Sequence, residues 1–352
     1  MRFRWLALLL AVANAHAVIL YRTGDPNENT TPPSGANANS GWQYQGIWGG
    51  FLGTPIAPHF FISAAHIGNA GGSSFTFQNV TYRVTQDFFD PQSDLVIWRI
   101  AGEFPSFAPL YSRTDEVGQR IIAIGRGTRR GDPVTLNEVF KGWYWGAGDG
   151  VERWGENTVS SIYQVTPAWD LLRAEFNAGG LPNECHLSVG DSGGAAFIDD
   201  NGTWKLAGIH YSVDGDFSFT LSHESYFDAA LVEMDGLYAG DHNSPAPFEP
   251  VTGPSALYPT RISTKLPWIA IMIAEAQIGF DAGAASLTYT KLVIPQSDLV
   301  YGMQQSSDLV NWQAATTSDQ VLSTNASTEI VKSKITTGSA PALFLRLRAQ
   351  RP

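Results

Sequence analysis

The stretch Leu187-Ser188-Val189-Gly190-Asp191-Ser192-Gly193-Gly194-Ala195 decides the fold, because it sets one serine among glycines. Glycine adds little to a hydrophobic core, but it lets the backbone approach another molecule closely. We therefore predict that Ser192 is a nucleophile with an unobstructed hydroxyl and accessible backbone N–H groups. An apolar run follows, then an Asp-Asp-Asn-Gly turn at 199–202 and a second apolar run. This order predicts strand, hairpin turn and strand.

The same five residues, Gly190 to Gly194, also fit the Gly-x-Ser-x-Gly nucleophile elbow of the α/β-hydrolases. In that fold a helix follows the serine, and the acidic residue and the histidine come later in the chain. Here a hairpin follows Ser192, so the sequence disfavours the elbow.

The composition indicates a globular protein built from many short strands. The chain has 352 residues, a formal net charge of −11 and abundant Gly and Pro. Binding to nucleic acid needs clustered Lys and Arg, which are missing, so we expect no nucleic-acid partner. Cys185 is the only cysteine, so the chain can form no internal disulfide and depends on its core for stability.

The first 17 residues have the pattern of a signal peptide. Arg2 and Arg4 precede an apolar run, and Ala15-His16-Ala17 offers small residues where a signal peptidase cuts. The run is too short to anchor the chain in a bilayer. We expect a mature chain that begins at Val18, has no membrane span and is secreted or periplasmic in a bacterium.

A histidine and an aspartate stand at the ends of two apolar strands. His66 follows Ile56–Ala65, and Asp94 begins the run Leu95–Ile100. Taken singly, each has an ordinary structural interpretation, as a packed histidine and as a turn aspartate. Ser-Asp-Leu-Val recurs at 297–300 and 307–310, but only the first copy lies between His66 and Ser192.

Several stretches together resemble the trypsin-like serine peptidases, in that family's order of His, Asp and Ser. The landmarks are Phe61-Ile-Ser-Ala-Ala-His66, Asp94-Leu-Val-Ile, Gly125-Arg-Gly127, Gly190-Asp-Ser-Gly-Gly194, and Tyr258-Pro-Thr-Arg261 with Trp268-Ile269. The resemblance implies an all-β fold with two six-stranded, chymotrypsin-like barrels and a C-terminal helix. It also implies a secreted endopeptidase that acts on a protein or peptide.

The resemblance assigns a role to each landmark residue. Ser192 would attack the carbonyl, His66 would act as general base and Asp94 would orient the imidazole. The N–H groups of Gly190 and Ser192 would form the oxyanion hole. Asp191 would pair with the new α-amino group of Val18, so removal of the signal peptide alone would activate the enzyme.

Four further positions, His186, His210, Tyr211 and Ser212, are expected to set the substrate preference. His186 occupies the place of the acidic floor residue of trypsin, which argues against a preference for Arg or Lys. His210 resembles the histidine of bacterial glutamyl endopeptidases, which implies a preference for Glu or Asp. A histidine packed in a strand is the alternative interpretation. Tyr211 and Ser212 complete this wall, with Tyr211 where the family usually has a serine that bonds the catalytic Asp.

The rest of the chain supplies an insertion and a second domain. Residues 214–257 exceed what the family needs and are expected to border the substrate cleft. The helix around Trp268 is expected to end near Ile278-Gly279, which divides a peptidase domain at 18–279 from a small β-sandwich-like domain at 280–352. The pair Ser306–Trp312 and Phe344–Arg348 resembles C-terminal modules of secreted proteins from environmental bacteria such as the Verrucomicrobia.

Other functions remain open from the sequence alone. A catalytically silent relative could bind a partner through the same cleft, and an esterase would use the same serine. We expect no cofactor and no metal, because His59, His223 and His242 show no ligand spacing with Asp or Glu.

Overall fold

The structure is a computed structural model that describes residues 15–16, 18–281, 284–294, 298–324, 328–335 and 344–351. The predicted signal peptide, residues 1–17, lies outside the described residues apart from the backbone of Ala15 and His16. None of the helices in the described ranges has both the length and the apolar character needed to cross a membrane.

Two closed barrels of six strands each dominate the described residues. In both, neighbouring strands are antiparallel. The first barrel consists of Gly46–Trp48, Phe51–Ala57, Phe60–Ala64, Ser74–Phe77, Val80–Phe89 and Leu95–Ile100. The second consists of Arg120–Gly125, Arg153–Thr166, Trp169–Glu175, Ala195–Asp200, Thr203–Val213 and Ala256–Arg261. This is the chymotrypsin-like, all-β fold that the sequence predicts.

Aromatic and branched side chains fill the barrels and join them. In the first barrel Phe61 stacks on Phe75 with ring centroids 4.0 Å apart. One continuous apolar core then passes from Phe61 to Phe197 in the second barrel. The barrels therefore share buried surface, and residues that lie between them are held by both.

A smaller sheet stands beside the second barrel, and we call it the side sheet. It contains Ala15–His16, Thr128–Leu136, Val139–Val151 and Ala229–Leu231. The long hairpin 128–151 supplies its centre, and Ala229–Leu231, from the insertion at 214–257, pairs with that hairpin. The remaining short strands form two small ladders, Ile19–Leu20 with Cys185–His186, and Phe217–Ser218 with Tyr238–Ala239 and Glu249–Pro250.

The α-helix after the second barrel spans Leu266–Met272 and packs its apolar side on the shared core. The expected helix end near Ile278-Gly279 is wrong, because Gln277–Asp281 is a strand that pairs with Ala284–Leu292. Short 3-10 helices occur at Gly35–Asn37, Trp42–Tyr44, Ala65–Gly71, His223–Ser225 and Ser263–Lys265.

Beyond the helix, two sheets face each other across a common apolar core. One contains Gln277–Asp281, Ala284–Leu292, Thr317–Thr324 and Thr328–Ile335, and the other contains Val300–Ser306, Gln313–Ala314 and Phe344–Gln350. Leu287 and Val331 from the first sheet meet Met303 from the second. Arg351 ties this sandwich to the barrels, because its guanidinium donates to the carbonyl oxygens of Ser263 and Ser112.

Candidate active site

Strand pairing in the first barrel brings His66 and Asp94 together. Phe60–Ala64 runs antiparallel to Leu95–Ile100, with Ala64 opposite Leu95. Because one strand ends where the other begins, the residues just outside the pair lie side by side. The N–H group of Ala65 donates to the carbonyl oxygen of Asp94 at 3.0 Å, and His66 follows in a 3-10 turn.

The side chains of Ser192, His66 and Asp94 form one hydrogen-bonded chain. Ser192 Oγ lies 2.7 Å from His66 Nε2. His66 Nδ1 lies 2.6 Å from Asp94 Oδ2, and the backbone N–H of His66 donates to Asp94 Oδ1 at 2.8 Å. Asp94 is 9% exposed, whereas the His66 side chain is 39% exposed and faces the cleft between the barrels. This arrangement can move a proton from the serine to the imidazole.

The loop that precedes the strand Ala195–Asp200 carries backbone N–H groups beside Ser192. Gly190 has a φ of +93° and Gly193 a φ of +76°, values that favour glycine. Gly193 and Gly194 donate their N–H groups to His210 and Asp191, respectively. Within the described part of the chain, the N–H groups of Gly190 and Ser192 have no protein acceptor, so they remain available to a substrate oxygen.

Asp191 turns away from the cleft and lies buried below the loop. Its carboxylate accepts from the N–H groups of Gly127 at 2.7 Å and Ser188 at 2.8 Å. The backbone nitrogen of Val18 lies 3.3 and 3.4 Å from its two oxygens. Burial raises the pKa of Asp191 to about 6, although these N–H donors oppose the rise. With Val18 in peptide linkage, N–H donors and the Ser188 hydroxyl hold the carboxylate, and Arg153 interacts with it electrostatically.

No protein-family model and no curated protein match this chain. Among solved structures, it is similar to the passenger domain of plasmid encoded toxin, an autotransporter enterotoxin from enteroaggregative Escherichia coli. That alignment has 13% identity and a TM-score of 0.39, and it covers 69% of this chain but only 24% of the toxin structure. The chain therefore spans about a quarter of that structure's length.

The Rv3671c protease of M. tuberculosis is also similar. Its inactive form aligns with 16% identity and a TM-score of 0.34, covering 52% of this chain and 86% of that one. Its active form aligns with 15% identity and a TM-score of 0.32, covering 51% and 68%. The likeness of the C-terminal module to Verrucomicrobia proteins stays a prediction from sequence.

A pocket of about 400 Å³ opens beside Ser192. Three of the four predicted specificity residues, His210, Tyr211 and Ser212, line it. His186 does not line it. That imidazole is fully buried, with Nδ1 2.7 Å from the Leu187 carbonyl oxygen and Nε2 3.2 Å from Ser255 Oγ. The geometry therefore gives His186 a structural place behind the pocket, with both ring nitrogens already engaged.

Tyr211 takes a different position from the serine it replaces in the resemblance. Its ring packs edge-on against His66 with centroids 5.8 Å apart, and against Trp169 at 5.0 Å. Among the described contacts, Asp94 receives no hydrogen bond from Tyr211, and both bonds to its oxygens come from His66. Tyr211 thus holds the imidazole by packing, and Trp169 extends the same aromatic wall.

Sequence reasoning missed several residues that line the pocket. The insertion does border the cleft as expected, and it contributes Asp216, Asp228 and Asp241 to the pocket wall. Trp145 comes from the side sheet. Asp216 closely follows the Gly-Ile-His-Tyr-Ser-Val strand, so the sequence could have identified it. Asp228, Asp241 and Trp145 reach the pocket only through pairing of segments that are distant in sequence.

At this part of the pocket, three side chains of the kinds that bind metal ions lie close together, although their spacing in the sequence does not predict it. Asp216, Asp241 and His242 place their ligand atoms within 4.8 Å of one another, a group that could hold a metal ion. His242 Nδ1 already lies 2.8 Å from Asp216 Oδ2, and its ring stacks on Tyr226. The hydrogen bond engages His242 Nδ1 without an ion.

Proposed function

We propose that this chain is a secreted serine endopeptidase whose triad is Ser192, His66 and Asp94. The observation that carries the proposal is the chain of hydrogen bonds from Ser192 Oγ through His66 to Asp94, at 2.7 and 2.6 Å. The carboxylate fixes the tautomer in which Nδ1 carries a proton and Nε2 is free to accept one.

In the proposed reaction, each step of hydrolysis uses a named group of this chain. Ser192 Oγ attacks the carbonyl carbon of the scissile bond while His66 Nε2 takes the hydroxyl proton. The carbonyl oxygen becomes an oxyanion, which the N–H groups of Gly190 and Ser192 stabilise. The C–N bond then breaks, His66 protonates the leaving amine, and water releases the acyl group by the reverse sequence.

Maturation by loss of residues 1–17 would complete the site. A free α-amino group on Val18 would carry a positive charge beside Asp191, where the peptide nitrogen now lies 3.3 Å from the nearer oxygen. The ion pair would hold the loop that carries Gly190 and Ser192. Export and this activation step belong to the proposal.

The proposed substrate is a protein or peptide that crosses the cleft between the barrels, and the chemistry needs no cofactor. The expected preference for Glu or Asp depends on His210. The pocket that contains His210 also contains Asp216, Asp228 and Asp241, so an acidic side chain is disfavoured there.

A fluorophosphonate probe tests the triad directly, because it reacts only with an activated serine. We expect the mature chain to label, and Ser192→Ala and His66→Ala to lose labelling and about 10⁶-fold in turnover. The matched controls are Ser225→Ala and His223→Ala, which change the same residue types in a short 3-10 helix away from the triad.

The same experiment separates the alternatives. Folded, correctly processed protein that neither labels nor cleaves would contradict the proposal and favour a binding protein that uses the same cleft. Labelled protein that hydrolyses esters but no peptide amide would instead identify an esterase.

A further inference from the structure

The pocket beside Ser192 has an unusually acidic wall. It extends from the loop at Val189 and Ser192 to Asp216, Asp228 and Asp241, and its volume is about 400 Å³. Ligand pockets of this size accommodate a long side chain. No lysine or arginine occurs among the described residues that line it. A substrate side chain that enters this pocket therefore meets carboxylates, one of which, Asp216, is hydrogen-bonded to the His242 imidazole.

Asp228 is the carboxylate best placed to receive a cation. It is half-buried and forms no ion pair among the described residues. Burial and the nearby charge of Asp216 raise its pKa, whereas His242 and the backbone N–H of Asp216 lower it. A positive charge in the pocket would offset the repulsion between the two aspartates.

His210 is a second, independent sign that a ligand belongs in this pocket. It is 1% exposed, it lines the same pocket, and neither ring nitrogen has a hydrogen-bond partner in the described structure. Burial lowers its pKa to about 3 despite the nearby carbonyl oxygen of Ile124. The imidazole is thus neutral at physiological pH, with a lone pair that can accept from an ammonium or guanidinium group. Buried polar atoms without partners are rare unless a ligand or water satisfies them.

These observations argue against an acidic substrate residue. A neutral His210 can offer a carboxylate one hydrogen bond but no charge, while three aspartates would repel it. A lysine or arginine side chain would instead find acceptors at Asp228, at His210 and at Asp216 Oδ1, since Asp216 Oδ2 is engaged by His242.

We propose that the pocket selects a lysine or arginine at P1, the residue before the scissile bond, with Asp228 and Asp216 binding the cation and His210 accepting a further hydrogen bond. The inference rests on the proposed peptidase activity and names its substrate class. Asp241, which is exposed, lies nearer the solvent and contributes less.

The test uses the mature chain and peptide coumarin amides that differ only at P1, with Lys, Arg, Leu or Glu. We expect kcat/KM for Lys and Arg to exceed that for Glu by about 100-fold or more. The Lys-to-Leu ratio is measured within each variant, because a ratio cancels any loss of folded protein. Asp228→Asn should lower that ratio by about 30-fold or more, and Asp241→Asn by only a few-fold. Asp199→Asn, in an exposed hairpin turn, is the matched control and should leave the ratio unchanged.

Three results would overturn the inference. They are a preference for Glu, a Lys-to-Leu ratio that Asp228→Asn does not change, and a Glu preference that needs added Ca²⁺ and disappears with EDTA. The last would assign the carboxylates to a metal ion.

Fluorophosphonate labelling distinguishes failure of the pocket assignment from failure of the peptidase proposal. Labelled, active protein without cation preference refutes only the pocket assignment, whereas unlabelled, inactive protein refutes the peptidase proposal as well.

Discussion

The position of the chain's first mature residue should control activity. We compare a chain that begins at Val18 with one that carries a single alanine in front of it. In the structure Val18 is 2% exposed and its nitrogen lies 3.3 Å from Asp191 Oδ1. One added residue moves the charged amino group by about 3.8 Å and leaves a neutral amide beside the carboxylate. The extended chain should therefore lose the ion pair but keep the fold of both barrels.

The size of the effect follows from the burial of Asp191. Removing one partner of a buried ion pair typically costs about 3–5 kcal/mol. If that free energy sets the population of the active loop, kcat/KM should fall by about 10²- to 10⁴-fold. The Val18→Ile chain, which keeps a free branched N-terminal residue, is the matched control and should retain activity.

The two chains should also differ in how pH affects their stability. In the amide form the pKa of Asp191 is raised from 3.8 to about 6, mainly by burial. The folded state then favours the protonated acid, so this contribution to stability is complete below pH 4 and is lost as pH rises through 6. The loss amounts to about 3 kcal/mol in the extended chain. A charged amino group lowers that pKa, so the loss should be absent in the chain that begins at Val18.

Peptide-amide kinetics, fluorophosphonate labelling rates and urea unfolding at pH 4 and pH 7 measure these effects. Equal kcat/KM for the extended and Val18-first chains would refute the reasoning. So would equal pH dependence of the free energy of unfolding in the two chains.

Three further changes have expected outcomes of different kinds. Asp94→Asn should keep the hydrogen-bonded geometry but favour the wrong imidazole tautomer, lowering kcat by about 10⁴-fold, and an unchanged kcat would remove Asp94 from the triad. Gly193→Ala should abolish labelling, because its Cβ would lie 2.2 Å from Ser63 Oγ and 2.6 Å from the Leu52 carbonyl oxygen at a φ of +76°; normal labelling rates would show that the loop adapts. Phe61→Ala should cost about 3–5 kcal/mol of stability, because the side chain is fully buried against Phe75, and a smaller loss in urea titration would mean that the core collapses around the gap.

The sequence predicts the proposed triad because each member sits in a short, local pattern. His66 and Asp94 end and begin apolar runs that pair with each other, so strand pairing brings these two together. Ser192 lies among glycines in a loop of the second barrel and meets them because the two barrels pack on one core. The pocket wall could not be found in this way. Asp228 and Trp145 meet because distant segments pair, with Trp143 opposite Ala230, and neither segment has a motif of its own.

The end of the helix shows the same limit of local reasoning. The pattern after Trp268 extends an apolar helix, but Gln277–Asp281 gains more from pairing with Ala284–Leu292. Pairing of this segment with the strand that follows it overrides the segment's local preference for helix.

Part of the pocket wall lies outside the barrel strands, in the side sheet and in the insertion that pairs with it. Trp145 and Asp228 are joined by a backbone hydrogen bond of 3.0 Å, and neither belongs to a barrel strand. Neither side chain takes part in the barrel ladders or in the hydrogen bonds that join Ser192, His66 and Asp94. For the proposed peptidase, a change at Trp145 or Asp228 would therefore alter which side chain fits the pocket, while the residues proposed for bond cleavage keep their contacts.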